Sequence, residues 1–325
     1  MQNYKENVMN KRIVVLLLLF YTLVDYVYST NNSHVVYTTH HCRLLDKCSG
    51  DSIKLTYRKY MDLSSGKGAQ GAACFGDYLI QGYDGNKKMT IYNLSKKKKL
   101  ATIGIDTASV MKRCHVNTMN FGRRKYHKDD FFPLLYVSSG YSDQKVSFVY
   151  VYRVVRSMKG NKESFSANLV QTISLRGFSS WTEGVIDGVN DAIWIKYARK
   201  RNYGYAMFPL PSIKKKYENI VYHDNQRNFR CKRLIYGKGQ GHLFYNNKII
   251  FVAGASINED FALLSVDVTS EKIESWIDLK EIGFVNDNDA GVKYIEPESV
   301  FMYKGSLMIA YRKGVYEITI EKQML

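Results

Sequence analysis

The chain is poor in proline, cysteine and tryptophan, with 4, 5 and 3 of them in 325 residues. So little proline excludes a proline-rich stalk, and so little cysteine excludes a small scaffold held together by disulfides. No Cys-x-x-Cys spacing occurs, which leaves zinc-ribbon and thioredoxin-type readings without support. Helical periodicity is hard to find. Nucleophile-elbow, zinc-protease and P-loop patterns are absent. Acidic residues are in deficit too, 30 Asp and Glu against 47 Lys and Arg, for a formal net charge of +17.

What is present describes a folded, β-rich protein. Hydrophobic residues make up 45% and charged residues 24%, values of a globular chain and not of a disordered one. The 26 Tyr and 15 Phe favour strands. The length admits one large domain or two ordinary ones.

The N-terminus reads as a targeting segment. Lys5, Lys11 and Arg12 form a positive leader, Ile13–Val24 is an apolar run of signal-peptide length, and Val27-Tyr28-Ser29 offers suitable residues for cleavage. The run is too short to read as a membrane span, with an uncleaved anchor as the alternative. No Cys stands at the predicted mature start, which argues against a lipoprotein anchor. The expectation is an exported protein: signal peptide over 1–29, a polar segment over 30–50 and one domain over 51–325. Removing Lys5, Lys11, Arg12, Glu6 and Asp25 leaves 44 basic against 28 acidic residues, or +16, so the basic bias belongs to the domain. Cys42 and Cys48 could close a small loop, while Cys74, Cys114 and Cys231 lie by apolar runs, where buried free thiols are the default.

A short strand-like run, a turn of Gly, Asn or Asp, and another run recur along the domain. Gly71–Phe75, Asp77–Tyr83, Met89–Leu94 and Leu100–Ile105 form the clearest set, an antiparallel meander of the kind that makes a propeller blade. Gly66-Lys67-Gly68-Ala69-Gln70-Gly71 opens that unit, and Gly237-Lys238-Gly239-Gln240-Gly241 opens a later one of the same design. Pro297–Ile309 follows it, as do His115–Phe121 with Leu134–Ser138 and Glu183–Gly188 with Ala192–Tyr197. Five units therefore open near Gln70, His115, Glu183, Gln240 and Glu298, a spacing that marks a repeat architecture. The last unit stops after its third strand, Val315–Ile320, and Ser52–Tyr60 is a spare strand at the start. The expected fold is an all-β propeller of five blades of four antiparallel strands, its N-terminal strand closing the last blade. Six or seven blades are the alternative, because 153–180 and 209–236 parse poorly; the latter reads as an insertion or a long outer loop.

Three stretches carry a resemblance: Gln70-Gly71 through Tyr83-Asp84, His115-Val116-Asn117 through Phe132–Ser138, and Glu296–Val300. They resemble an exported β-propeller family of gut-type Bacteroidetes. More distantly they are similar to the propeller shared by a staphylococcal phage receptor-binding protein and teichoic acid biosynthesis protein C. The resemblance covers roughly residues 50–322 and implies recognition of a cell-surface polymer. It carries over no catalytic residues.

Gly66-x-Gly68-x-x-Gly71 matches the dinucleotide fingerprint in letters only, since a strand follows where a helix is needed. A blade-opening turn is the better reading. The residues that open each unit would sit near one mouth of a propeller channel, so Gln70, His115 with Asn117, Glu183, Gln240 with His242, and Glu298 form an expected polar ring and candidate ligand site. The plain alternative is that they bond to one another and to strand ends. Glu183 and Glu298 could also serve as a glycosidase pair, with His115 or His242 as acid or base. Asn286-Asp287-Asn288-Asp289-Ala290-Gly291 has the composition of a Ca²⁺ loop, but its Gly is one place early for an EF-hand; a solvated turn is favoured, and no cofactor is expected beyond that weak structural Ca²⁺.

Basic clusters occur at Lys96–Lys99, Arg123-Arg124-Lys125, Arg199-Lys200-Arg201 and Lys214–Lys216, interleaved with Tyr126, Tyr197, Tyr203 and Tyr205. Charge with aromatics formally suggests nucleic acid, and export argues against it. Gathered on one face, the clusters would indicate an anionic partner; scattered, they would indicate only solubility. The reading is an exported propeller that binds a glycan or polyanionic surface polymer at the channel mouth. A glycan-active hydrolase or lyase and a protein-interaction scaffold are the competing classes.

Overall fold

Turn chemistry cuts the chain into hairpins. Asn246 and Asn247 both take positive φ (48° and 58°), as do Lys304 and Gly305 (48° and 82°), the two-residue turns whose twist matches that of paired strands. In the computed structural model the described residues are 53–64, 68–105, 115–139, 146–178, 182–199, 202–223, 227–230, 239–254, 262–279 and 296–322. The leader, the polar segment with Cys42 and Cys48, Cys114, Cys231 and the Asn286–Gly291 loop lie outside them.

Strand β1 (Ile53–Asp62) precedes the first blade, which is β2 (Ala69–Phe75), β3 (Tyr78–Tyr83), β4 (Lys88–Asn93) and β5 (Lys98–Gly104). The second blade is β6 (Val116–Phe121), β7 (Leu135–Ser139), β8 (Ser147–Lys159) and β9 (Lys162–Arg176). β10 (Glu183–Asp187), β11 (Ala192–Arg199) and β12 (Asn202–Pro209) begin the third, followed in the chain by β13 (Tyr217–Val221) and β14 (Asn228–Arg230). The fourth is β15 (Gly239–Tyr245), β16 (Lys248–Ala253), β17 (Ala262–Asp267) and β18 (Lys272–Asp278). β19 (Pro297–Tyr303), β20 (Ser306–Tyr311) and β21 (Gly314–Lys322) form the fifth. β1 completes it, pairing antiparallel with β21 from Ile53↔Lys322 to Asp62↔Gly314. The protein is a five-bladed β-propeller closed by its N-terminal strand.

One strand departs from the uniform plan. β13 leaves the third blade and pairs parallel with β9 of the second, from Tyr217↔Thr172 to Val221↔Arg176, before β14 returns to β12. The second sheet therefore has five strands and the others four. The segment expected as an insertion or outer loop thus covers an exposed sheet edge and ties two blades together.

Each blade buries both faces, which is why its inner runs are continuously apolar and do not alternate. Leu79 and Tyr92 pack with Phe301, Tyr303 and Met308 of the fifth blade, while their neighbours Ile80 and Ile91 pack with Met119, Leu135 and Tyr152 of the second. Three further clusters join blades two and three, three and four, and four and five. The core is thus five layers between blades, arranged in a circle.

The innermost strands meet almost backbone to backbone. A Cβ on Gly71 would lie 2.7 Å from the Asn117 carbonyl oxygen, and one on Gly241 would lie 2.7 Å from the Glu298 carbonyl oxygen. Only glycine fits where these strands touch. Gly241→Ala is expected to destabilise the protein by about 1–3 kcal/mol. Gly104→Ala, where nothing lies within 4 Å, is expected to change stability by less than about 0.5 kcal/mol. Urea denaturation of both variants checks this; equal midpoints would refute the close-packing argument.

Candidate functional site

The inner strands β2, β6, β10, β15 and β19 all begin at one face, called here the leading face. Antiparallel order then places the turns after the first and third strand of every blade on the far face. Four of the five inner strands carry a register shift near their start: between Ala69 and Ala72, Val116 and Thr118, Gln240 and His242, and Pro297 and Ser299. Such bulges re-aim a side chain. Here they fall at Gln70, Asn117, Gly241 and Glu298, the residues at which the units open.

Gln70, Asn117, Glu183, Gln240, His242 and Glu298 are all buried. Asn117 Nδ2 donates to Glu183 Oε1 at 2.8 Å, and Thr118 Oγ1 donates to Glu183 Oε2 at 3.3 Å. His242 Nδ1 lies 2.9 Å from Glu183 Oε2 and 3.1 Å from Thr118 Oγ1. Asn120 Nδ2 donates to the His242 carbonyl at 2.8 Å, so β6 and β15 are joined across the axis. Burial pulls the His242 pKa down, and the neutral ring then donates its Nδ1 proton towards Glu183 while stacking on Phe251 at 4.8 Å. Against its own burial, Glu183 is brought down to about 2 by Lys196 and His242 and by the hydrogen bonds it accepts. These side chains close the throat around an ionised carboxylate.

Glu298 behaves oppositely. Burial pushes it up to about 8, although Arg312 Nε donates to Oε1 at 2.8 Å. Arg312 Nη2 also reaches Glu296 Oε2 at 2.7 Å, and the Arg312 side chain is 45% exposed. His115 is less buried than the others: its Nδ1 is 2.7 Å from Asp84 Oδ1, and Asp84, with smaller contributions from Glu298 and Glu183, raises its pKa despite burial. A carboxylate held low and a carboxyl held high are the two states that acid–base hydrolysis needs. Both carboxyl groups are buried, Glu183 at 2% and Glu298 at 0% exposure. Among the described residues, no three His, Cys, Asp or Glu are grouped to hold a metal ion.

Thr118, Asn120, Lys196, Arg312 and Asp84 were not singled out from the sequence. Thr118 and Asn120 follow Asn117 on β6, and Lys196 faces Glu183 across the β10–β11 pair. Arg312 and Asp84 lie in the turns after the second strands, which topology returns to the leading face.

The basic clusters fall largely on the other side. Lys96–Lys99 occupy the turn from β4 into β5, Arg123–Lys125 the turn after β6, and Lys214–Lys216 the segment after β12. These far-face turns also bind blade to blade. Arg124 donates to Asp191 Oδ2 at 2.7 Å and to the carbonyls of Pro211 and Leu210, and Tyr303 Oη donates to Asp77 Oδ1 at 2.8 Å. Arg199 ends β11 at the leading face, while Lys200, Arg201 and the side chains of Arg199 and Tyr203 lie outside the described residues. Tyr197 and Tyr205 are buried; Tyr126 is exposed. Cys74 is a free thiol whose pKa burial pushes up, so it is not a reactive thiolate.

No protein-family model matches the sequence, and no curated protein matches it either. Solved structures similar to it include the PQQ-bound aldose sugar dehydrogenase of Streptomyces coelicolor, at 7% identity over 84% of this chain and 100% of that one, TM-score 0.43. The glutaminyl cyclase of Myxococcus xanthus shares 8% identity over 84% and 100% of the two chains, with TM-score 0.47. The β-propeller domain of Cps50 (Swd1) from Myceliophteria thermophila shares 8% identity over 77% and 83%, with TM-score 0.38.

A test of the throat follows from Glu298. A folded-state pKa raised above the ordinary carboxyl value means that stability falls as pH rises from about 4.5 to about 8, where only the unfolded chain has released the proton. Glu298→Gln, which imitates the protonated form, is expected to flatten that fall in urea midpoints measured across the same pH range. An unchanged slope would show that Glu298 is already ionised at low pH.

Proposed function

We propose that the protein is an exported β-propeller that binds an anionic cell-surface polymer through its far face. One observation carries this reading: the basic clusters Lys96–Lys99 and Arg123-Arg124-Lys125 share that face. The exposed basic residues of its described turns include Lys96–Lys99, Arg123, Lys125, Lys128, Lys272 and Lys304, whereas the exposed acidic ones are Asp129 and Glu271. A surface of one sign attracts polyanions and raises their encounter rate. Recognition thus moves from the channel mouth, where the ring side chains are buried, to the opposite rim. The leader over residues 1–29 supports export, which argues against nucleic acid as the natural polyanion.

The mature chain is expected to bind immobilised polyphosphate, with an affinity that falls steeply as NaCl rises from about 0.05 M to about 0.5 M. Replacing Lys96–Lys99 by Glu together is expected to weaken binding by about tenfold or more. Lys87→Glu, an exposed charge on the leading face, serves as the control and should leave affinity unchanged. Losses in proportion to the charge changed, eight units against two, would locate the attraction in net charge and not in the far face.

A further inference from the structure

The turn between β6 and β7 is the longest among those that follow inner strands. Its counterparts in the first, fourth and fifth blades hold two residues, whereas this one runs from Gly122 to Leu134. It is nevertheless pinned at every stage. Gly122 N donates to the Leu134 carbonyl at 3.0 Å, Leu134 N to the Arg124 carbonyl at 2.7 Å, and Asp130 N to the His127 carbonyl at 3.0 Å. The buried Asp130 accepts from His127 N at 2.9 Å and takes three bonds of 2.7–3.1 Å from Arg153. A long turn held this firmly presents its side chains in fixed positions.

Two of those side chains are aromatic and face water: Tyr126 is 41% exposed and Phe131 is 40% exposed. The neighbouring Phe132 is buried against Phe121, so the turn uses one ring to anchor itself and leaves two outside. Arg156 lies 4.6 Å over the Phe131 ring and Arg153 lies 5.5 Å over Tyr126, which holds each ring in place on its own side of β8. Both arginines come from β8, where it runs on past its last pairing with β7 at Tyr152. Arg123, Lys125 and Lys128 are exposed on the same turn.

From these two flanks of one turn we infer that the β6–β7 turn is a saccharide subsite, where Tyr126 and Phe131 stack on separate sugar rings of one chain while Arg123, Lys125 and Lys128 pair with its acidic substituents. A pyranose offers an apolar C–H face of slight positive charge, which suits the electron-rich face of an aromatic ring. Carboxylate, phosphate or sulfate groups along the same polymer suit the lysines and arginine. The ligand class is therefore an anionic glycan, and not a sugar-free polyanion or a neutral glycan. Because the turn is ordered in advance, little ordering cost opposes binding. This inference rests on the far-face reading above and names the polymer that face would take.

The test uses the full mature chain and three probes: oligogalacturonate, polyphosphate of matched charge, and neutral maltoheptaose. Calorimetry is expected to show tighter binding of oligogalacturonate than of polyphosphate, and none of maltoheptaose. The double variant Tyr126→Ala, Phe131→Ala should lose about tenfold on oligogalacturonate and nothing on polyphosphate. Lys125→Glu with Lys128→Glu should weaken both acidic probes. Phe131→Leu keeps an apolar contact to Tyr78 and Phe75 but no aromatic face, so it reports the stacking loss if the alanine variant is unstable. Unchanged oligogalacturonate binding by the aromatic variants would overturn the subsite while leaving the polyanion reading intact. Failure of the wild type to bind either acidic probe would overturn both.

Discussion

Backbone-to-backbone packing of the five inner strands governs the rest of the molecule. Gly71 and Gly241 sit where neighbouring strands leave no room for a Cβ. A throat that narrow cannot be lined by side chains radiating into water; it is filled by them. Gln70 Oε1, Gln240 Oε1 and Glu298 Oε2 lie buried there with no hydrogen-bond partner among the described residues, but a buried polar group without a partner costs about 1–3 kcal/mol, and at one strand start side chains gather to avoid that cost. Glu183, with Asn117, Thr118 and His242 around it, is the result.

The same crowding separates two carboxyl groups of equivalent position. Glu183 lies near Lys196 and accepts from three side chains, so its charge is satisfied even out of water. Glu298 has one guanidinium partner, itself half in solvent and shared with Glu296, and burial dominates. Equal residue types at equal places in the repeat thus titrate at opposite ends of the range. The cause lies in the neighbours each blade supplies and not in the repeat itself.

Much of this architecture was legible in the residues. Turn dipeptides such as Asn246-Asn247 mark hairpins by a local backbone rule, and the spare strand before Gln70 matches a fifth unit that lacks its last strand. The starts of the units were legible as polar residues at repeating positions. Two features were not. β13 pairs with the blade before its own, and nothing in Tyr217–Val221 specifies which edge it will cover. The placement of the polar ring in or out of water was hidden as well, because it depends on how closely strands distant in sequence approach. Sequence carries residue types; the inter-strand distance that buries these side chains is a property of the closed circle.

The far face is the complement of that throat. Its acidic residues are largely committed to structure: Asp77 to Tyr303 and Lys304, Asp130 to Arg153, Asp191 to Arg124, and Glu163 to Arg156 and Tyr78. Each ties its turn to a neighbouring strand or turn and has its charge met by a partner. The charges left outside are then mostly of one sign. Solubility requires surface charge, but both signs interspersed would meet that need without the mutual repulsion that a one-signed face incurs. Segregation of sign is therefore unexplained by solubility, and the pinned aromatic turn within it, with Phe131 and Tyr126 turned outward, is unexplained by packing. A partner that carries negative charge and a stackable ring relieves both the repulsion and the exposure at once.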